Sequence, residues 1–346
     1  MDAVTAAARH DEWIPIRVFW RDARAWVDWC HFGRARLREP FFRDSVTDAL
    51  RRPFNQAFRR ETPIEALAQW RAASPGIEPT AFLYHASRCG STLVSQMLAA
   101  LGTHIVVSEP PMVDAILATR RMAPPVPEPV RVEWLRGLVS ALAQPRNGET
   151  RFFVKLDAWN VFDVALLRKA FPRTPWIYLY RDPLEIAVSQ VRERGAYMIQ
   201  GIVGPTVDLF PPAEALAMPT EEFIARVLGR MLEAAAASAT REGGRLVHYA
   251  ELPGAMWTDL RELLGVGADA AAREALQRAA RWNAKSPQLE FAADTQRKQR
   301  EASEQLRAAN ERWAAPAYRA LERMRHAQRA ASGAGDRAAQ SPKCPT

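Results

Sequence analysis

The residues best suited to chemistry stand at the ends of short apolar runs. Ala81-Phe82-Leu83-Tyr84 reads as a buried strand. It passes through His85, Ala86 and Ser87 into Arg88-Cys89-Gly90-Ser91-Thr92, and Leu93, Val94, Met97, Leu98 and Leu101 then follow at helical spacing. Strand, tight loop and helix is the geometry in which free N–H groups at a helix N-terminus face an anion. Arg88 adds a fixed charge, and Ser91 and Thr92 add hydroxyl donors. The implied chemistry is phosphate binding, although the loop is not a Walker A loop: no Gly-Lys-[Ser/Thr] stands at the required spacing. Nor is it a phosphatase loop, which would need Cys-x5-Arg; position 95 is Ser95. The bland alternative is an ordinary strand-to-helix turn.

A second stretch repeats the pattern. Trp176-Ile177-Tyr178-Leu179-Tyr180 is an apolar strand candidate that runs into Arg181-Asp182-Pro183. Leu184, Ala187, Val188 and Val191 then mark one face of a helix, with Asp182 suited to its N-cap and Pro183 to its first position. Ser189 lies eight residues after Arg181. In open α/β sheets ligands bind outside the carboxyl ends of strands. Two such ends, each carrying an Arg, suit two separate phosphates.

In order, and about ninety residues apart, these motifs resemble those of the sulfotransferases that use 3′-phosphoadenosine 5′-phosphosulfate (PAPS). The resemblance covers roughly residues 80 to 300. It implies that Arg88, Cys89, Gly90, Ser91 and Thr92, with Leu93 opening the helix, cradle the 5′-phosphosulfate. It implies that Arg181 and Ser189 hold the 3′-phosphate. Cys89 stands where the family has Ser, and Ser87 where Pro is common.

The same resemblance suggests the reacting groups. A Glu just after the strand beside the first loop is the base in several branches, which points to Glu109; its plain alternative is a helix-capping carboxylate. His104 is a second candidate base but starts its strand, at the wrong edge of the sheet. Lys155, one of five lysines, ends a third strand and suits the transferring sulfonate, or else pairs with Asp157 at the surface. Asp157 would orient Lys155 or the acceptor. His85 reads as a structural histidine. A late basic run, residues 294–300, offers Arg297 and Lys298 for the 3′-phosphate and adenine, against a solvated helix face. The cofactor implied is PAPS, its product adenosine 3′,5′-bisphosphate, with no metal. The acceptor is a hydroxyl of a small molecule, carbohydrate or peptide.

Strands alternate with helices, which predicts an α/β fold with a doubly wound parallel sheet, P-loop-like in its core. Residues 1–78 hold five of the eleven tryptophans, and segments 22–37 and 63–73 show helical spacing; they read as a helical N-terminal extension. Residues 79–326 form the sulfotransferase-like domain. The Gly- and Pro-containing segment 196–219 reads as a long loop, and 327–346 as a disordered tail.

Composition bounds the rest. The 346 residues are 48% hydrophobic and 25% charged, as in ordinary globular chains. No apolar run suffices for a membrane span, which needs about 18 residues. Three cysteines without paired spacing suit a reducing cytoplasm and neither a disulfide framework nor a zinc site. The net charge of +8 fits a polyanionic ligand, and no recognition-helix or aromatic pattern accompanies it to suggest nucleic acid. Two rival functions stand beside sulfuryl transfer: a P-loop-type kinase or NTPase, and a non-catalytic nucleotide-binding protein.

Overall fold

The computed structural model describes residues 12–201, 209–267, 269–283, 286–290 and 295–339. The extension comes first in the chain, and it is not the helical layer that its tryptophan spacing predicts. Strands β1 (Trp13–Arg21) and β2 (Arg24–His31) pair antiparallel, and β3 (Arg60–Pro63) pairs with β2. The reason is local. Ile16 and Val18 are buried on either side of exposed Arg17, a period-two step, and Arg21 and Arg24 are exposed at the turn. β-Branched and aromatic residues fill that pleat. Asp22 (φ 50°) and Ala23 (φ 59°) make the two-residue left-handed turn that matches the strand twist. Helices α1 (Phe42–Leu50), α2 (Pro53–Ala57) and α3 (Ala66–Ala73) complete the extension. The Trp29 indole donates to Thr62 Oγ1 (3.0 Å) and meets Trp70 edge-on at 4.5 Å, so part of the tryptophan content is core. Residues 1–11 lie outside the described residues.

From Pro79 onward strands and helices alternate as expected. They are β4 (Pro79–His85), α4 (Ser91–Ala99), β5 (His104–Ser108), α5 (Pro111–Ala118), α6 (Glu128–Leu142), β6 (Arg151–Lys155), α7 (Val164–Ala170), β7 (Trp176–Tyr180), α8 (Pro183–Arg192), α9 (Pro212–Ala217), α10 (Thr220–Glu242) and β8 (Arg245–His248). After them come α11 (Ala270–Ala280), a small antiparallel pair β9 (Trp282–Asn283) and β10 (Ser286–Glu290), α12 (Thr295–Glu301), α13 (Glu304–Trp313) and α14 (Ala315–Ala339). The main sheet has five parallel strands in the order β5-β6-β4-β7-β8, flanked by helices. Strands buried on both faces explain the unbroken apolar runs in the sequence.

The chain divides into two compact units. The first holds Met1–His85, Gly90–Trp176 and Glu251–Ala293. Its register decides the site: Leu83 of β4 and Ser108 of β5 both pair with Lys155 of β6. Three strand ends therefore finish level, and His85, Glu109 and Lys155 share one edge. The second unit holds Ala86–Cys89, Ile177–Ala250 and Asp294–Thr346, with β7 and β8 in parallel register. There α10 packs closely on α13. A Cβ at Gly229 would lie 2.2 Å from the Trp313 carbonyl oxygen, so only glycine fits.

Two further expectations differ. Residues 327–339 of the presumed disordered tail are helical, as the end of α14, because alanine is the strongest helix former; residues 340–346 lie outside the described residues. The loop 196–219 contains a short 3₁₀ turn at Ala196–Met198 and helix α9, with residues 202–208 outside the described residues. Among the described residues no helix is long and apolar enough to cross a membrane.

Candidate functional site

The loop after β4 is left-handed where an anion loop should be. Ser87 (φ 66°), Arg88 (φ 49°) and Gly90 (φ 85°) all have positive φ. Successive backbone N–H groups in turn conformations are the kind that bind anions. Gly90 is the N-cap of α4 and no side chain caps that end, so the first-turn N–H groups face outward from the helix unclaimed by a cap. Ser91, Thr92 and Leu93 are buried in that first turn. Cys89 does not use its thiol in the loop: Sγ donates to the Leu179 carbonyl at 3.0 Å and is buried. The substitution of Cys for Ser thus leaves Cys89 only its backbone N–H for the cradle. Arg88 is turned to its own unit, donating to Glu193 Oε2 (3.1 Å) and to the Glu193 carbonyl (3.0 Å).

Within the first unit the strand-end residues meet. Lys155 is fully buried, yet its ammonium reaches Glu109 Oε1 at 2.7 Å and Thr92 Oγ1 at 3.4 Å. The Phe41 ring, at the start of α1, lies 5.1 Å from the ammonium. Glu109 is pinned by its N–H to the Lys155 carbonyl (2.7 Å) and held at φ 55°, a conformation costing a non-glycine residue on the order of 1 kcal/mol or more. His85 Nε2 stands 3.4 Å from the same Oε1. Burial alone would raise the Glu109 carboxyl, but the nearby His85 ring and the Lys155 charge outweigh it and hold the group well below the usual carboxylate range. Asp157 moves the other way: burial, with the charges of Glu109 and Asp114, pushes its carboxyl well above its ordinary value. Its backbone N–H donates to Asn160 Oδ1 at 3.0 Å, and Asp157 is the N-cap of the 3₁₀ turn Ala158–Asp163. His104 sits at the far end of β5, and burial lowers its imidazole to about 4.

The second unit builds a separate cationic point. Arg181 is buried at the end of β7, its Nε on Glu185 Oε2, its Nη2 on Thr295 Oγ1 (3.0 Å) and its guanidinium 4.2 Å from the centre of the Tyr249 ring. Asp182 caps α8 through Leu184 N (2.8 Å) as its sequence position predicts, and its other oxygen accepts from Gln299 at 3.1 Å. Ser189 is half-buried, and its hydroxyl donates to the Glu185 carbonyl at 3.0 Å. Of the late basic run, Arg297 is exposed near Glu301 (3.9 Å) and Lys298 is buried in α12.

Sequence reasoning missed several of these neighbours. His85 was read as structural, yet it touches Glu109. Phe41, Tyr249, Thr295 and Gln299 carry no local signal, because only the fold brings them to their partners. Glu185 had one: it stands four residues after Arg181 on a helix, the spacing at which opposite charges meet.

No protein-family model matches the sequence, and no curated protein is significantly similar to it. Among solved structures, the chain is similar to a sulfotransferase from Mycobacterium avium, with 12% identity and a TM-score of 0.41 over 71% of this chain and 81% of that one. It is similar to the sulfotransferase domain of the Synechococcus PCC 7002 olefin synthase (16% identity, TM-score 0.37, 72% and 95% covered). It is likewise similar to a sulfotransferase from Alicyclobacillus acidocaldarius (16%, 0.39, 72% and 96%).

Proposed function

We propose that the chain transfers the sulfuryl group of PAPS to a hydroxyl of an acceptor, which is a small molecule, carbohydrate or peptide. The observation that carries this is the position of Lys155: one buried ammonium within reach of both Thr92, at the mouth of the left-handed loop, and Glu109, the candidate base. The loop from Ser87 to Thr92 takes the 5′-phosphosulfate on its N–H groups. Arg181, with Ser189, takes the 3′-phosphate, and Arg297 and Lys298 extend that contact.

The acceptor oxygen attacks sulfur as its proton passes to Glu109. The bond from sulfur to the 5′-phosphate oxygen breaks, and adenosine 3′,5′-bisphosphate leaves. Lys155 neutralises charge growing on that oxygen. Glu109, held well below the usual carboxylate range by Lys155 and His85, is a weak base in the arrangement described. Its basicity rises when Lys155 turns to the donor, so donor binding and base activation are one event.

The test is thermal stabilisation by adenosine 3′,5′-bisphosphate without added metal. At a hundredfold excess over its dissociation constant it should add about 2.7 kcal/mol. Equal stabilisation by ATP, or a shift that requires Mg²⁺, favours the kinase reading. Stabilisation without transfer of labelled sulfonate to any fraction of cell extract favours a non-catalytic nucleotide-binding protein.

A further inference from the structure

We infer that His85 is a positioning residue for Glu109: together with Lys155 it holds one carboxylate oxygen, and it keeps that hold when Lys155 turns to the donor. The inference rests on the reading above. His85 ends β4 two residues beyond Leu83, which pairs with Lys155, so the imidazole and the ammonium finish at one edge. Both approach Oε1 of Glu109, at 3.4 Å and 2.7 Å. Under the proposed reaction, Oε2 is the oxygen that receives the acceptor proton. The Glu109 backbone is tied to the Lys155 carbonyl in a left-handed conformation, so the main chain cannot follow a drifting side chain.

The two donors differ in freedom. Lys155 has a four-carbon stem and a second partner in Thr92. His85 has two side-chain dihedrals, is 6% exposed, and sits at the end of a central strand. The lysine can therefore leave and the histidine cannot. If Lys155 alone held the carboxylate, its departure would activate Glu109 and disorient it together; His85 separates the two effects. The titratable groups around Glu109 include His85 from β4, Lys155 from β6 and Asp157 from the segment after β6, with Asp114 of α5 and Arg43 of α1 acting on Asp157.

The experiment is a pH titration of the glutamate side-chain carboxyls by ¹³C NMR, with Glu109 assigned by its loss in Glu109→Gln. It compares wild type, Lys155→Met, and Lys155→Met combined with His85→Leu. In Lys155→Met the Glu109 midpoint should stay below the usual carboxylate range. Adding His85→Leu should raise it by about one pH unit or more. Identical midpoints in those two proteins overturn the inference. Should the His85→Leu protein fail to fold, His85→Phe, which keeps a ring of similar size but no donor, should give the same rise; no rise there overturns it equally. The nucleotide stabilisation test uses none of these variants. A nucleotide that fails to bind would sink the proposed reaction while leaving the carboxylate clamp standing.

Discussion

Each unit buries one cation at the end of a parallel strand and gives it one carboxylate, yet the two pairs are built differently. In the first, Lys155 meets a glutamate from a neighbouring strand end, and a threonine hydroxyl lies within reach as an alternative. In the second, Arg181 meets Glu185 one helical turn away, and its remaining faces are taken by Thr295 and Tyr249. A flexible ammonium with two partners can exchange one for the other. A planar guanidinium fixed on three sides is held in one orientation. Under the proposed function, the contrast suits chemistry at the first pair and recognition at the second.

The largest effect should fall on the first pair. Glu109→Gln should lower turnover by about 10²- to 10⁴-fold, the range lost with a general base. The glutamine oxygen still accepts from Lys155, so nucleotide binding should persist. Loss of binding or of folding would make Glu109 a structural carboxylate and dissolve the contrast. Lys155→Ala should lower the rate and also weaken donor binding, because the proposed function places Lys155 against the donor; measured transfer and calorimetry separate the two.

Next comes Arg181→Ala. It should weaken adenosine 3′,5′-bisphosphate by about 1.5–3 kcal/mol, the worth of charge-assisted hydrogen bonds, and leave adenosine 5′-phosphosulfate nearly unchanged. Pairing it with Glu185→Gln avoids leaving a buried carboxylate without its cation. Equal weakening of both ligands would show that Arg181 does not read the 3′-phosphate.

A smaller effect separates wild type from Glu109→Gln in stability. The folded Glu109 carboxyl lies below its ordinary value of 4.5, so its contribution is fully present above about that pH and is lost as pH falls below it. The difference in melting temperature between the two proteins should therefore narrow from pH 7 to pH 4. A difference independent of pH would mean that Glu109 acts through its shape and not through its charge.

Much of this arrangement was legible in the sequence, and for a stated reason. Buried parallel strands appear as apolar runs, so β4, β6 and β7, and the polar residues that end them, stand out. Arg181 stands out at such an end, while Glu109 and Lys155 were singled out by the resemblance to the sulfotransferases. His85 looked structural because its contact depends on the register of three strands distant in sequence. Phe41 was invisible for the same reason: it reaches Lys155 from an extension whose tryptophans suggest a helix but which folds as a sheet with helices. The helical end of the chain was misjudged on composition, since the same alanines that lower complexity favour helix.

The last prediction concerns Glu185, the carboxylate that makes the second pair unusual as a phosphate site. A phosphate arriving at Arg181 meets a negative charge already on the guanidinium Nε. Two anions sharing one cation repel, and at a few ångströms the repulsion is worth a few kcal/mol at the effective dielectric of a partly buried site. Glu185 also orients the guanidinium, and Gln299 donates to it at 3.4 Å, so removing its charge forfeits part of that order. Glu185→Gln keeps an acceptor of the same length and so retains most of the orientation while ending the repulsion. The net should be tighter binding of adenosine 3′,5′-bisphosphate by about threefold to tenfold, up to roughly 1.4 kcal/mol. The gain should shrink for adenosine 5′-phosphosulfate, which carries no 3′-phosphate to be repelled. Calorimetry of both ligands at one ionic strength reads the difference. Weaker binding of the bisphosphate by Glu185→Gln would reverse the assignment. Glu185 would then hold Arg181 in place for its ligand, and both units would use a carboxylate to aim a cation.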